Sequence, residues 1–242
     1  MQRIKGLTFD AGCTLFYEDV CVGRSPSATF INGLSRASSF LRRNGYNIDV
    51  EDLMEGFKHW RELAGVDEQG SPREYWMLYR LYFVLKYNGI TPAPDLVMGV
   101  YREYCHGFVE TVKLYDDVKP FLKWAKERGL RIGIISNISS HEVTIEAVKI
   151  HGLLGYIDIV ITSQLIGVKK PLPEIFVSTA RLLGLEPDSI IHIGDNEDVD
   201  FDGALNAGYA GAIYLARHKP CSRSPCCKDL YCVMEYLEKQ WL

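Results

Sequence analysis

The feature that most constrains this chain is a rhythm that begins near residue 112 and continues to about residue 215. Short apolar runs alternate with amphipathic stretches, and a glycine follows most of the latter. Asp117 to Arg128 places Phe121, Leu122, Trp124 and Ala125 at helical spacing before Gly129, which predicts a helix. "RIGIIS" (131–136) predicts a short buried strand. His141 to His151 predicts a helix ended by Gly152, "IDIVIT" (157–162) a strand, and Glu174 to Leu183 a helix stopped by Gly184. Two more strands are predicted at "SIIHIGD" (189–195) and "GAIYL" (211–215), with a short helix over 200–207 between them. Strands separated by helices in this way are joined by right-handed crossovers and form a parallel sheet. With the apolar run at 4–10, the expectation is a five-stranded α/β core of the doubly wound, Rossmann-like kind.

One block breaks the rhythm. Four helical segments and no strand are predicted between residues 18 and 111, at 27–43, 50–64, 72–87 and 95–110. Turn signals separate them at "NGYN" (44–47), "GSP" (70–72) and "NGITPAP" (88–94). The aromatic "REYWMLYRLYFVLKY" reads as a bundle core. An all-helical block directly after the first strand of an α/β core is an insert. The expected division is therefore a core of 1–17 and 112–242 with a helical cap at 18–111.

Composition narrows the function classes. A net charge of -4 with no Lys/Arg run speaks against a nucleic-acid partner. Charges interrupt every long apolar stretch, so no membrane span is predicted. The first residues run straight into a strand pattern without the form of a signal peptide, and the expected location is the cytoplasm. Nothing in the sequence speaks to oligomeric state.

In a parallel α/β sheet, ligands bind beyond the carboxyl ends of the strands, near the reversal of strand order. The polar residues that close these strands are Asp10, Ser136 and Asp195. "HIGDNEDVDFDGA" (192–204) carries five acidic residues in eight positions, whose mutual repulsion calls for a cation or a basic partner. Asp198, Asp200, Asp202 and Gly203 match the start of a calcium loop, but Tyr209 stands where its bidentate Glu belongs, and a strand leads in. A magnesium site built from one or two carboxylates and a substrate phosphate fits better. Lys169 and Lys170, in "GVKKPLPEIF" (167–176), are suited to offset that charge and hold a phosphate.

Taken together, these residues resemble the haloacid dehalogenase superfamily of hydrolases. Asp10 with Thr14 and Leu15 is similar to its first motif and "IISN" (134–137) to its second. Lys170 in "KKPLPEIF" is similar to the third, and "GDNEDVDFDGALNAG" (194–208) to the fourth. The resemblance runs from Ile4 to about Leu215, and the helical insert matches the family's cap position. The aromatic "REYW" helix and the length also resemble the subfamily of haloacid-dehalogenase-like hydrolase domain-containing proteins.

That resemblance implies a Mg2+-dependent phosphatase acting on a small phosphorylated metabolite. Asp10 would attack phosphorus and form an aspartyl phosphate. Thr14 would support the loop, Ser136 and Asn137 would donate hydrogen bonds to phosphoryl oxygens, and Lys170 would neutralise charge. Mg2+ would be held by Asp10, the Gly12 carbonyl and Asp195, with Asp200 ligating or orienting.

Gly12 departs from the pattern. The family's phosphatases carry a second Asp there, which protonates the leaving oxygen and later activates water; such groups contribute about 10^2 to 10^4 in rate. Positioning and electrostatics remain available without it. Two other readings follow from the gap: a non-catalytic binding protein of the same fold, or a phosphonatase- or dehalogenase-type hydrolase. The former has to explain why Asp10, Lys170 and the metal-site carboxylates all persist; the latter would use Lys58 as a Schiff base or lack the Gly194–Asp195 pair. Gly12 is also a place where a positive φ would favour glycine.

The seven cysteines are expected to be reduced, partly buried thiols. Cys221, Cys226, Cys227 and Cys232 cluster, with His218 nearby, but their spacing is poor for zinc. Disulfides are expected only if the source is a hyperthermophile, whose intracellular proteins carry them. The cluster lies outside all four motifs, so it is expected to be dispensable for activity.

Overall fold

A computed structural model of the chain describes residues 3–64 and 73–241. β1 (Gly6–Phe9) and the two-residue β2 (Phe16–Tyr17) lead into four helices, α1 (Ala28–Arg43), α2 (Val50–Ala64), α3 (Met77–Tyr87) and α4 (Pro94–Thr111). The alternating region follows as β3 (Lys113–Leu114), α5 (Val118–Glu127), β4 (Arg131–Ser136), α6 (His141–Ile150) and β5 (Ile159–Thr162). It continues with α7 (Ser163–Ile166), α8 (Pro173–Leu183), β6 (Ile190–Gly194), α9 (Gly203–Asn206) and β7 (Gly211–Leu215). β8 (Cys226–Cys227) and α10 (Leu230–Gln240) close the chain.

Six strands form one sheet in the order β5-β4-β1-β6-β7-β8, every neighbouring pair parallel. Phe9 of β1 stands opposite both Ile134 of β4 and Ile193 of β6. The chain winds outward from β1 through β4 to β5, then returns to the far side of β1 for β6, β7 and β8. Strand order thus reverses between β1 and β6, and a crevice opens beyond their carboxyl ends. One face packs Phe9 and Ile134 against Phe121, Val148 and Val233, which come from α5, α6 and α10. The other packs Ile135 and Ile190 against Phe176 and Ala180 of α8 and Ala204 of α9. Strands buried on both faces are predominantly apolar, which is why they read as near-continuous runs in the sequence.

The doubly wound core and the four inserted helices are as the sequence predicts. α1 starts at the Ser27 cap, whose Oγ accepts from the Phe30 N–H at 3.2 Å, and packs along α4. β2 and β3 lie antiparallel, with Phe16 opposite Leu114, so the block's entry and exit run side by side. Among the described residues, no helix is long and apolar enough to cross a membrane.

Three expectations change. A sixth strand, β8, joins the sheet edge; its two residues are too few to show a pattern in the sequence. α3 begins at Met77, because the preceding backbone is engaged with the core instead of with itself. The Glu74 N–H donates to the Gly167 carbonyl (3.1 Å), the Met77 N–H to that of Ser139 (2.8 Å) and the Trp76 indole to that of Gln164 (2.9 Å). The "GSP" turn at 70–72 lies outside the described residues. The predicted helix over 200–207 is a π-helical turn, Glu197–Asp202, that runs into α9.

The cysteine expectation is overturned. Cys13–Cys21, Cys221–Cys226 and Cys227–Cys232 are disulfides, with Cα separations of 5.3, 5.9 and 5.5 Å, and Cys105 is a buried free thiol. Turns around each pair bring the residues within bridging range, a proximity that x4 and x7 gaps do not display. The zinc reading lapses, since the clustered thiols are paired and His218 Nε2 instead meets the Tyr115 hydroxyl at 2.8 Å. Loops this short limit each C-terminal bridge to about 2 kcal/mol of stabilisation. Changing Cys221, Cys226, Cys227 and Cys232 to serine should therefore lower the urea midpoint while leaving hydrolysis rates unchanged. Lost hydrolysis at unchanged stability would contradict this.

Candidate active site

Asp10 is the first residue beyond β1, and its N–H donates to the Ile193 carbonyl of β6 at 2.9 Å. Asp195 occupies the same place beyond β6, Ser136 ends β4, and Lys170 sits in the loop between α7 and α8. The chain crossing between strands brings these distant positions together. Lys170 Nζ lies 2.6 Å from Asp10 Oδ1, 2.6 Å from Asp200 Oδ1 and 2.8 Å from the Ile135 carbonyl. Its three protons therefore have three acceptors, which a buried ammonium requires.

Asn137 fixes the loop that carries this lysine. Its Nδ2 donates to the Lys170 carbonyl at 2.9 Å, and the Lys170 N–H donates to Asn137 Oδ1 at 2.8 Å. Asp200 reaches the site because residue 194 has no side chain. A Cβ on Gly194 would lie 2.4 Å from Asp200 Cγ, an impossible contact. Asp200 Oδ2 accepts from the Asn196 N–H at 3.1 Å. Behind it, buried His192 places Nε2 3.3 Å from Asp200 Oδ1 and Nδ1 2.9 Å from Thr8 Oγ1. Lys219 Nζ pairs with Asp195 Oδ2 at 2.9 Å.

Burial and charge oppose each other here. Burial pushes the Asp10 carboxyl up to about 7; Lys170 pulls it down, while the Asp200 and Asp195 charges add to the rise. For Asp200 burial also favours the neutral form, but Lys170 and His192 outweigh it and hold the group well below the ordinary carboxylate range. Burial raises Asp195, with Asp200 adding and Lys219 opposing. Lys170 stays charged: burial disfavours the ammonium, and its two carboxylate partners more than compensate, raising its pKa. Burial lowers His192, leaving a neutral imidazole.

Carboxylate oxygens of Asp10, Asp195 and Asp200 all lie within 4.8 Å of one another. Three clustered carboxylates, with hard oxygen donors only, match a small divalent cation such as Mg2+. They open onto a cleft of about 600 Å³ between the strand ends and the helical block, lined by Gly12, Ser136 and Asn137 and, from the block, by Trp60, Arg80 and Tyr104. Glu18 lines it too, its Oε2 accepting from the Thr29 hydroxyl at 3.0 Å. Burial raises the Glu18 carboxyl, against that hydrogen bond.

Of the residues singled out in the sequence, Asp10, Lys170, Asp195 and Asp200 meet directly, and Ser136, Asn137 and Gly12 face the same cleft. The Asn137 side chain exchanges two hydrogen bonds with the Lys170 backbone and so positions the lysine, while the residue lines the cleft. Thr14 is wholly buried. Its hydroxyl has no hydrogen-bond partner among the described residues, and its carbonyl accepts from Arg217 Nε at 3.0 Å. Arg217 in turn forms a bidentate pair with Asp117, both bonds 2.8 Å, which ties the first-motif loop to α5. Lys169 lines the same cleft, 3.9 Å from Glu74, without reaching the carboxylate cluster, and Asp202 pairs with Arg223 at 2.8 Å. Lys58 lies on an exposed helix face beside Glu55, not on the cleft wall.

Gly12 also differs from expectation. The left-handed residue of the loop is Cys13, at φ 58°, and Gly12 has no positive φ. Among the described residues outside 11–13, a Cβ at residue 12 would meet one atom within 4 Å, Glu18 Oε1, at 3.6 Å. Glu18, His192 and Lys219 escaped the sequence reading. His192 had a signal, as the one titratable residue in the apolar run "SIIHIG"; Lys219 had none, lying 24 residues from its partner.

A family model described as haloacid dehalogenase-like hydrolase matches residues 28–208. Over 213 residues the chain is 31% identical to a glyceraldehyde 3-phosphate phosphatase of Methanopyrus kandleri, covering 85% of this chain and 81% of that one. It is 25% identical over 208 residues to a ribulose-1,5-bisphosphate 5-phosphatase of Halopiger xanaduensis, with 85% and 82% covered. Among solved structures, a 2-haloacid dehalogenase from Pseudomonas syringae superposes with a TM-score of 0.71 at 21% identity, covering 98% of this chain and 99% of that one. The last likeness is one of fold alone.

Proposed function

The chain belongs to the haloacid dehalogenase-like hydrolase family, and from that premise we propose a Mg2+-dependent phosphatase that works through an aspartyl phosphate on Asp10. Relatives named as phosphatases support the reading that it hydrolyses phosphate esters. The observation that carries the reading is the buried Lys170 bridging Asp10 and Asp200 at the floor of an open cleft. Lys170 holds one Asp10 oxygen and leaves the other to attack phosphorus. Ser136, at the end of β4, would donate to a phosphoryl oxygen, and Asn137 would keep the lysine in place. Thr14 would hold the loop from beneath.

Asp10, the Gly12 carbonyl, Asp195 and Asp200 are the groups that would hold Mg2+. Once bound, it would neutralise charge between nucleophile and phosphoryl group. The block at 18–111 would act as a cap, closing the cleft over a small phosphorylated metabolite. The names of the two relatives, both acting on phosphorylated sugars, support that class. The test is hydrolysis of a panel of alkyl, aryl and acyl phosphates with and without Mg2+. No turnover on any of them would favour the reading that Gly12 invites, a fold retained without chemistry.

Metal binding can be checked separately. Calorimetry should show Mg2+ binding to the wild type, and Asp195→Asn should weaken it by at least about 10- to 100-fold. Asp202→Asn should leave it nearly unchanged, because Asp202 is committed to Arg223. Equal effects from the two variants would remove Asp195 from the metal site.

A further inference from the structure

We propose that Glu18 supplies the acid–base carboxyl that residue 12 lacks. The placement comes from the chain itself. β2 follows the first-motif loop, and the Cys13–Cys21 disulfide folds residues 13–21 back on that loop. Glu18 is thereby carried over Gly12. Its Oε1 stands 3.6 Å from where a Cβ of residue 12 would be, and among the described residues outside 11–13 no other atom lies within 4 Å of that point. An aspartate at residue 12 would extend its carboxylate one bond beyond that Cβ. Glu18 thus borders the volume that the absent side chain would fill, reaching it from another part of the chain.

The other Glu18 oxygen is anchored. Oε2 accepts from the Thr29 hydroxyl at 3.0 Å, and Thr29 Oγ1 lies 2.8 Å from Ser27 Oγ at the start of α1. One oxygen fixed and the other over Gly12 is the arrangement a proton-transfer group needs. Among the described residues Glu18 has no ion-pair partner. It lines the same cleft as Asp10, Ser136 and Lys170.

The inference rests on the phosphatase reading, and its two steps balance. As an Asp10 oxygen bonds to phosphorus, the bond from phosphorus to the leaving oxygen breaks. Its electron pair stays on that oxygen, which takes the Glu18 proton. In the second step the Glu18 carboxylate takes a proton from water as the water oxygen bonds to phosphorus. The bond between phosphorus and Asp10 breaks, its pair returns to Asp10, and Glu18 is again protonated as inorganic phosphate leaves.

A merely structural Glu18 would affect all esters alike, so the readout is the dependence of kcat/KM on leaving-group pKa. Three proteins are compared on aryl and alkyl phosphates: wild type, Glu18→Gln and Gly12→Asp/Glu18→Ala. Glutamine keeps an acceptor for Thr29 but has no proton to give. We expect a shallow slope for wild type and a steep one for Glu18→Gln. The variant should lose about 10^2- to 10^4-fold on alkyl phosphates and little on activated aryl phosphates. The double variant, with a carboxylate grown from residue 12 into space vacated by Glu18, should recover alkyl hydrolysis. Thermal melts show that the proteins compared are folded, and the Glu18→Gln slope decides even where the double variant is not. An unchanged slope in an active Glu18→Gln overturns the inference and leaves the phosphatase reading standing. Wild-type inactivity on every ester overturns both.

Discussion

Asp10→Asn is expected to reduce phosphate-ester hydrolysis by roughly 10^4- to 10^6-fold, the range seen when a covalent nucleophile or its activating partner is removed in other enzymes. The amide has nearly the shape of the carboxylate but is a poor nucleophile. Nothing else at the carboxyl ends of β1 and β6 replaces it: Asp200 is turned into Lys170, His192 and the Asn196 N–H, and Asp195 is held by Lys219. The fold should survive. The backbone bond from residue 10 to Ile193 does not involve the side chain, and Lys170 keeps Asp200 and the Ile135 carbonyl. Rapid-quench trapping with intact-mass analysis would show a phosphorylated wild type and an unmodified variant with a near-native melting temperature. An Asp10→Asn enzyme that kept a tenth of its activity would rule Asp10 out as the nucleophile.

Much of this arrangement was legible before any coordinates. Strands such as "RIGIIS" and "SIIHIGD" are short, mostly apolar and followed by turn residues, so sequence and burial carry the same message. Parallel strands put their carboxyl ends on one edge, so Asp10, Ser136 and Asp195 could be brought together from topology alone. Lys170 was distinguished from Lys169 by the resemblance of "KKPLPEIF" to the family's third motif.

The illegible parts share a cause: they depend on where a chain reversal leaves a side chain. β8 pairs through two residues, the disulfides close turns, and Lys219 returns to Asp195 across 24 residues. The two hydrogen bonds that tie the Asn137 amide to the Lys170 backbone, across 33 residues, have the same origin. Glu18 is the sharpest case. In sequence it is an acidic residue at the edge of an insert, while in space it borders the gap left by Gly12.

Lys170→Met should destabilise the metal-free protein by about 3–5 kcal/mol at neutral pH, the usual result of removing one partner from a buried ion pair. Lys170 is 1% exposed and separates two carboxylates that it contacts at 2.6 Å each. Without it, Asp10 and Asp200 face each other and Asp195 with no cation between them. The deficit should depend on pH in a definite direction. In the wild type Asp200 is held below the ordinary carboxylate range, so its contribution is present above the unfolded pKa of about 4 and is lost as pH falls through the folded value. In the variant that depression disappears. Asp10, already raised to about 7 with the lysine in place, rises further and costs more as pH climbs. The stability gap between the two proteins should therefore be widest at neutral pH and narrow toward pH 4, where the carboxylates protonate. Mg2+ at saturating concentration should recover part of it, because a cation among the three carboxylates does the same electrostatic work. Urea titrations at both pH values, with and without Mg2+, measure all three effects. A variant as stable as wild type at neutral pH would mean that the carboxylates relax into solvent, and that Lys170 is kept for the reaction and not for the fold.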